Sequence, residues 1–359
     1  MLAALSIQNA LVPTPTAVTT PPILPTASTP PINKFPWASG KQQSSLLDAL
    51  VARCHGEELL EKQGYTLPTA LDADGRSTAR RRTKQPEPKL QPMPAVVAGA
   101  ARRRAIALDC EMVGLTGGRD ELARLSAVDF LTGETLVDQL VVPTEWVENW
   151  RTGYSGVTRA AMESARRAGL ALDGWPAARA VLFALADADT VLVGHSLKHD
   201  LKVLRVAHSR VVDSQVLYAE EVFGRGAWLQ RSWALKRLCA EVLEVGVQVG
   251  RRGHDGLEDA LATRELVIRC LTQPEAVRVW ARGARATFEE QKRVREEKRR
   301  AALEQERAKK AAPQREVTAP TQIMYGLDDD TDEDNDVHFD TELDSDYDLR
   351  DCSYPFQIT

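Results

Sequence analysis

Apolar residues are densest between residues 105 and 270, and their spacing changes along that stretch in ways that predict different elements. The run AIALDCEMVGL (105–115) is almost continuously apolar and reads as a strand. ELARLSAVDF (121–130) and TLVDQLVVP (135–143) read as two more, joined by the Gly-containing turn 132–134 into an antiparallel hairpin. WPAARAVLFALADA (175–188) has helical spacing, with Trp175 and Pro176 at its start. TVLVG (190–194) reads as a short buried strand, LKHDLKVLRVAH (197–208) as a helix and RVVDSQVLY (210–218) as a further strand. Helices are expected over 232–242 and 255–270. Strands alternating with helices after an initial meander predict an α/β domain with a mixed sheet.

Outside this stretch the pattern changes. Residues 11–40 are rich in Pro and Thr, which disfavour helix and sheet ladders alike. Residues 44–63 recover a helical period, with Leu46, Leu47, Leu50 and Val51 on one side, and suggest a short docking helix. Residues 273–312 are almost all Ala, Glu, Arg, Lys and Gln, without a sustained apolar stripe, and read as a solvated charged helix. The organisation expected is a largely disordered arm (1–102), one folded domain (103–272), the charged helix (273–312) and an acidic disordered tail (313–359).

Net charge is −5, but this average conceals segregation. Basic runs occupy 80–84, 102–104 and 292–310, whereas 328–351 is densely acidic, so bulk charge does not decide for or against a nucleic-acid partner. The five cysteines include no C-x-x-C pair, which disfavours a zinc site or disulfide framework and fits a reducing compartment. No apolar run is long enough to cross a bilayer; the chain is expected to be soluble, with no membrane partner.

Three acidic motifs carry the candidate chemistry. Asp109 and Glu111 lie two apart on a strand, so both face one side. Two such carboxylates repel unless a cation lies between them, and hard oxygen ligands suit Mg2+ or Mn2+; the competing reading is an exposed pair with no ion. Asp200 follows the strand ending at Gly194 and falls in the first turns of a helix capped by Ser196, at the carboxyl edge where open α/β sheets place ligands. It could equally complement the helix dipole. His254 and Asp259 follow, with Gly253 and Gly256 expected to keep the approach mobile. An imidazole beside a helix-borne carboxylate suits a general base next to a metal, or an exposed loop histidine with a capping acid. His195 and His199 read as structural or substrate-edge groups.

The order D-x-E, then D, then H-x4-D resembles the DEDDh 3′–5′ exonuclease superfamily and, within it, the eukaryotic Rex-type RNA exonucleases. The strings that carry the resemblance are ALDCEMVGL, YSGVT (154–158), ADTVLVGHSLKHDL, RVVDSQVLY and GHDGLEDA. It implies a ribonuclease-H-like mixed sheet flanked by helices. It further implies two divalent cations, Mg2+ or Mn2+, held by Asp109, Glu111, Asp200 and Asp259, with His254 as general base. The implied reaction hydrolyses the terminal phosphodiester of single-stranded RNA 3′ ends and releases nucleoside 5′-monophosphates. Met112 and Leu197 would pack on the terminal nucleotide, Ser155 would lie in a loop near the substrate, and Asp213 would be structural. Rex-type enzymes read T-R-x-S-G-[IV]-T in that loop; this chain has Gly153 in place of the Arg, with Arg151 two residues earlier, and His199 where the family has Asn. A DNA or mixed-substrate exonuclease would use the same metal site and is the nearest alternative. An inactive nucleic-acid-binding scaffold is the alternative from another class. The family and the basic runs lead to an expectation of nuclear or nucleolar residence.

Overall fold

A computed structural model describes residues 40–78, 88–227, 229–249 and 253–311. The Pro/Thr-rich segment up to residue 39, the basic run 80–84 and the acidic tail from 313 lie outside the described residues. Helices α1 (Gly40–Val51) and α2 (Glu57–Lys62) come first, then strands β1 (Gln91–Pro92), β2 (Ala105–Leu115), β3 (Arg119–Asp129), β4 (Thr135–Leu140) and β5 (Val147–Asn149). Next are α3 (Thr152–Ser155), α4 (Arg159–Arg167), α5 (Gly174–Leu185), β6 (Val191–Gly194), α6 (Lys198–Val203), β7 (Val206–Ala207), β8 (Val211–Asp213) and α7 (Ser214–Phe223). A short α8 (Leu235–Leu238) runs into a π turn (Cys239–Leu243) before α9 (Gly256–Thr272) and α10 (Pro274–Ala311).

The main sheet has the order β4-β3-β2-β6-β8, with β5 added to the far end of β2. β2–β3 and β3–β4 are antiparallel, whereas β2–β6 and β6–β8 are parallel. This is the mixed, helix-flanked α/β sheet expected from the alternation of elements. β2 is apolar except at Asp109 and Glu111 because both its faces are covered. Ala105 and Ala107 join Val191, Val193 and residues of α1, α7, α9 and α10 in one core cluster. Ile106, Leu108 and Cys110 join Ala178, Leu182, Leu197 and Leu201 in the cluster on the opposite face. The period of two then carries Asp109 and Glu111 onto the α9 side. A β-bulge interrupts the β2–β3 register just after Glu111, the kind of irregularity that re-aims side chains beside functional sites.

Several elements differ from expectation. The segment 210–218 is strand only at Val211–Asp213. The Asp213 carboxylate accepts from Gln215 N at 2.8 Å and caps α7, while Val216, Leu217 and Tyr218 are all buried, so their apolar run imitates a strand. Ser196 is not the cap of α6. It has a left-handed backbone (φ 61°), and Asp213 holds the turn instead, accepting from Ser196 N at 3.0 Å and Leu197 N at 3.1 Å.

Much of the described N-terminal arm is ordered on the domain. Leu46, Leu47 and Leu50 of α1 enter the α7–α9 core, and Leu60, Tyr65, Leu67 and Met93 enter the opposite one. His55 is built into β8: its N–H donates to Val211 O at 3.0 Å and its Nε2 accepts from Asp213 N at 3.0 Å. β1 pairs in parallel with β7. The charged helix is also not solvated throughout. Val277, Ala281 and Phe288 of α10 are buried. Trp280 packs edge-on against Tyr218 (5.3 Å) and Trp233 (5.6 Å), and Phe288 against Phe223 (5.2 Å). These anchors recur on one face of the helix but are diluted by charged neighbours, which hides the stripe in the sequence. Among the described residues no helix is long and apolar enough to cross a membrane.

Candidate active site

The four carboxylates reach one region from three elements. Asp109 and Glu111 come from β2, Asp259 from the first turn of α9 and Asp200 from α6. Oxygens of Asp109, Glu111 and Asp259 lie within 4.8 Å of one another. Asp200 is buried, and its Oδ1 accepts from Cys110 N at 2.8 Å. That amide lies beyond the stretch of β2 paired with β6, which covers only Ala105–Ala107. The early end of β6 therefore leaves β2 backbone free to anchor the α6 carboxylate. Gly256 makes the approach of α9 possible: a Cβ there would lie 2.9 Å from Ser126 Oγ and 3.3 Å from Asp109 Oδ2.

Crowding and burial disfavour the charged forms. Burial, followed by the charges of Asp200, Asp259 and Glu111, holds Asp109 well above the usual carboxylate range. Burial and then Asp259 push Glu111 up to about 8, with Arg124 opposing. Burial pushes Asp200 up to about 8 against the Cys110 hydrogen bond, and Asp259 up to about 7 against a hydrogen bond from Gln248 Nε2 at 2.9 Å. Arg124, which pairs with Glu111 across the sheet, is the cation that opposes this crowding. Its guanidinium is already engaged by Asp138, at 2.8 Å from both Nε and Nη2, and lies 3.4 Å from Asp255. Glu111 Oε1 and Asp259 Oδ1 are buried without a hydrogen-bond partner among the described residues. Buried, unsatisfied oxygens in an all-carboxylate donor set fit a hard divalent cation.

His254 stands beside this cluster, its side chain 40% exposed and its Nδ1 3.6 Å from Asp259 Oδ2. Burial, then the charge of Lys236, lowers its pKa below the ordinary histidine value, so the imidazole is neutral near pH 7. Gly253 and Gly256, expected to keep this approach mobile, instead permit close packing. Gly253 has φ 82°, and a Cβ there would lie 2.5 Å from Thr152 O. The amide of His254 donates to Tyr154 O at 2.7 Å, which latches the histidine to the YSGVT loop. Ser155 is buried within that loop, donating to Trp150 O at 2.9 Å and accepting from Val157 N at 3.2 Å. Its hydroxyl thus shapes the support of His254 rather than facing outward.

Met112 is partly buried at the edge of the second core cluster, and Leu197 is fully buried against Gly194, where a Cβ would lie 2.6 Å from Leu197 Cδ1. His195 Nδ1 lies 2.8 Å from Ser214 Oγ, and His199 is exposed. Gly153 has open space where a side chain would project. Arg151 is held elsewhere, with Nη1 2.8 Å from Asp120 Oδ1 and its guanidinium over Gly114. Sequence reading missed Arg124, Asp138, Gln248 and Tyr65, whose OH lies 2.5 Å from Oδ2 of Asp213, the residue expected to be structural. Only the Arg124–Glu111 pairing had a signal, in the register of the first two strands. Gln248 and Tyr65 come from irregular segments with none.

Residues 106–267 match the family model described as Exonuclease. The chain is similar to RNA exonuclease 3 of Candida albicans, 29% identical over 170 residues that cover 46% of this chain and 38% of that protein. It is also similar to the human apoptosis-enhancing nuclease, 30% identical over 214 residues covering 56% of this chain and 61% of the relative. The chain thus spans less than two thirds of the length of each. Among solved structures, the Saccharomyces cerevisiae Pan2 pseudoubiquitin hydrolase–RNA exonuclease module in complex with AAGGAA RNA is 22% identical. That match covers 55% of this chain and 35% of the other, with a TM-score of 0.43.

Proposed function

Because residues 106–267 form a domain of the exonuclease family, we propose that this chain is a metal-dependent 3′→5′ exoribonuclease. It removes nucleoside 5′-monophosphates from single-stranded RNA 3′ ends during RNA processing or turnover. The observation that carries this reading is the convergence of the Asp109, Glu111 and Asp259 oxygens within 4.8 Å, with buried, unpartnered oxygens on two of them. The names of the relatives, RNA exonuclease 3 among them, support the substrate class.

Asp109, Glu111, Asp259 and Asp200 would hold two divalent cations, Mg2+ or Mn2+. Bound there, these would supply an acidified water and stabilise negative charge on the reacting phosphate oxygens. The chain's own residues do the rest. His254, neutral near pH 7, takes the proton of the attacking water at Nε2, since Nδ1 faces Asp259 at 3.6 Å. The latch from Tyr154 O to the His254 amide keeps the imidazole in place during this transfer. Met112, partly buried, supplies an apolar surface for the terminal nucleotide, whereas Leu197, expected beside it, is fully buried against Gly194 and supports that turn from within; Gln248 orients the Asp259 carboxylate. The basic run at 292–310 supports nuclear residence, which a fluorescent fusion to the full chain would test.

The deciding experiment uses RNA labelled at its 5′ end. Products should shorten stepwise from the 3′ end with Mg2+ or Mn2+, cease with chelator and be absent for Asp109→Ala. Products that shorten from the labelled end, or an active Asp109→Ala, would overturn the mechanism. A matched DNA strand degraded as fast as RNA would move the substrate class to DNA, a reading favoured by Gly153 standing where the family has Arg.

A further inference from the structure

Away from the carboxylates, the arm and the domain enclose a cavity of about 650 Å³ between residues 68–75, 89–92, α5 and the turn after α6. Two arginines dominate one wall. The Arg205 guanidinium lies 3.9 Å from the centroid of the Trp175 ring, and that of Arg179 lies 4.9 Å from the same ring. Neither guanidinium has a carboxylate partner among the described residues. The acids that act electrostatically on Arg205 are already taken. Glu121 accepts from Thr144 N and Oγ1, and Glu145 is gripped by both terminal nitrogens of Arg119. On the facing wall the Asp72 carboxylate is held by the amides of Asp74 and Arg76, and Lys89 is exposed.

The two cations are also held in place against their mutual repulsion. Burial, then the neighbouring guanidinium, lowers the pKa of Arg179. Arg205 has a left-handed backbone, φ 56°, which is strained for a residue with a side chain. Its carbonyl is pinned by Gln91 N at 2.9 Å and by Arg179 Nη1 at 3.4 Å. Stacking on Trp175 restrains both side chains before any ligand arrives, which lowers the entropic cost of binding.

Paired guanidiniums that no described carboxylate engages, fixed at the wall of an open cavity whose facing wall carries Asp72 and Asp74, match the geometry of phosphate recognition. We propose that the Arg179–Arg205–Trp175 cavity binds a backbone phosphate of the RNA substrate upstream of its 3′ end; this rests on the reading of the chain as an RNA exonuclease. Helix α6 links the two places. Asp200 lies in its first turn, and Arg205 follows its last residue by two, about 8 Å further along the axis. None of the four carboxylates lines the cavity, so an RNA held at both places must extend upstream of its terminal nucleotide.

The test measures binding of 5′-labelled single-stranded RNA, from dinucleotide to dodecamer, to the full chain in chelator. Parent, Arg205→Gln and the double variant Arg179→Ala/Arg205→Ala are compared, with circular dichroism as the check on folding. The single variant keeps the test decisive if the double one unfolds. Longer RNA should lose roughly tenfold or more in affinity, with a salt dependence shallower by about 0.7 for each phosphate that the variant no longer engages. The dinucleotide should bind all proteins alike, and with Mg2+ the KM for the dodecamer should rise while kcat holds. Equal affinity at every length, or an equal loss at every length, overturns the proposal. Calorimetry with pyrophosphate separates the sources of phosphate: if the variants lose pyrophosphate binding but not length-dependent RNA affinity, the cavity serves a free phosphate compound and the RNA assignment fails. If the parent binds RNA with this length dependence but never cleaves it, the exonuclease reading falls and the phosphate site stands.

Discussion

Replacing Glu111 with glutamine should make the metal-free protein more stable at pH 8 and change it little near pH 4.5. Burial and Asp259 raise the Glu111 carboxyl from its ordinary 4.5 to about 8. Below the lower value the folded and unfolded chains both hold the proton, and the group has no effect on the balance. Between the two values the folded chain retains a proton that the unfolded chain has released, so stability falls as pH rises. A span of roughly 3.5 pH units at about 1.36 kcal/mol each gives a loss of about 5 kcal/mol by pH 8. Glutamine is nearly isosteric and neutral throughout, and it also relieves Asp109 and Asp259 of a like charge. With about 2–4 °C per kcal/mol for a domain of this size, the variant should melt on the order of 10 °C above the parent at pH 8 in chelator. Added Mg2+ should stabilise the parent strongly and the variant much less, since binding to the folded state alone raises its apparent stability. Thermal melts at pH 4.5, 6, 7 and 8, with chelator and with Mg2+, measure all of this. A variant that melts at or below the parent at pH 8 in chelator would refute the picture of four carboxylates crowded at the expense of stability.

Three further substitutions probe the surroundings of the site. Tyr65→Phe removes the 2.5 Å bond to Asp213 and should lower stability by about 1–3 kcal/mol. It should also raise the Mg2+ concentration for half-maximal activity, because Asp213 holds the 196–197 turn ahead of Asp200; an unchanged Mg2+ titration would reduce Tyr65 to scaffold. Gly253→Ala forces a Cβ to 2.5 Å from Thr152 O at φ 82° and should displace His254. The expected result is a fall in kcat of about 10²-fold or more with the far-ultraviolet spectrum preserved, and full activity would show that the latch is dispensable. Phe288→Ala, at a position 5% exposed, should cost about 3 kcal/mol in denaturant melts; a loss below about 0.5 kcal/mol would mean that α10 is solvated after all.

The fold was legible wherever a local rule decided it. The alternation along residues 105–111 put Asp109 and Glu111 on one face, and the covered strand reads as such because its apolar run is interrupted only by those two carboxylates. It was illegible where two structures share one pattern. Val216, Leu217 and Tyr218 are apolar in a row because a buried helix surrounds them with core, and only the Asp213 cap distinguishes this from a strand. The anchors of α10 were masked by the charges between them, although Val277, Ala281 and Phe288 follow helical spacing.

The candidate site divides in the same way. Carboxylate types, their order and the strand and helix ends that carry them are properties of neighbouring residues, and the chain displays them directly. The approach of Asp259 to Glu111, across 148 positions, depends on Gly256 lying against Ser126 and Asp109. The bracing of Asp213 by His55 and Tyr65 and the stacking of Arg205 on Trp175 likewise join distant segments. Sequence alone determined which groups could do the chemistry, because residue type and local period are set by covalent neighbours. Tertiary structure decided which of them meet, because contact between distant segments depends on how closely whole elements pack, down to the absence of a single Cβ.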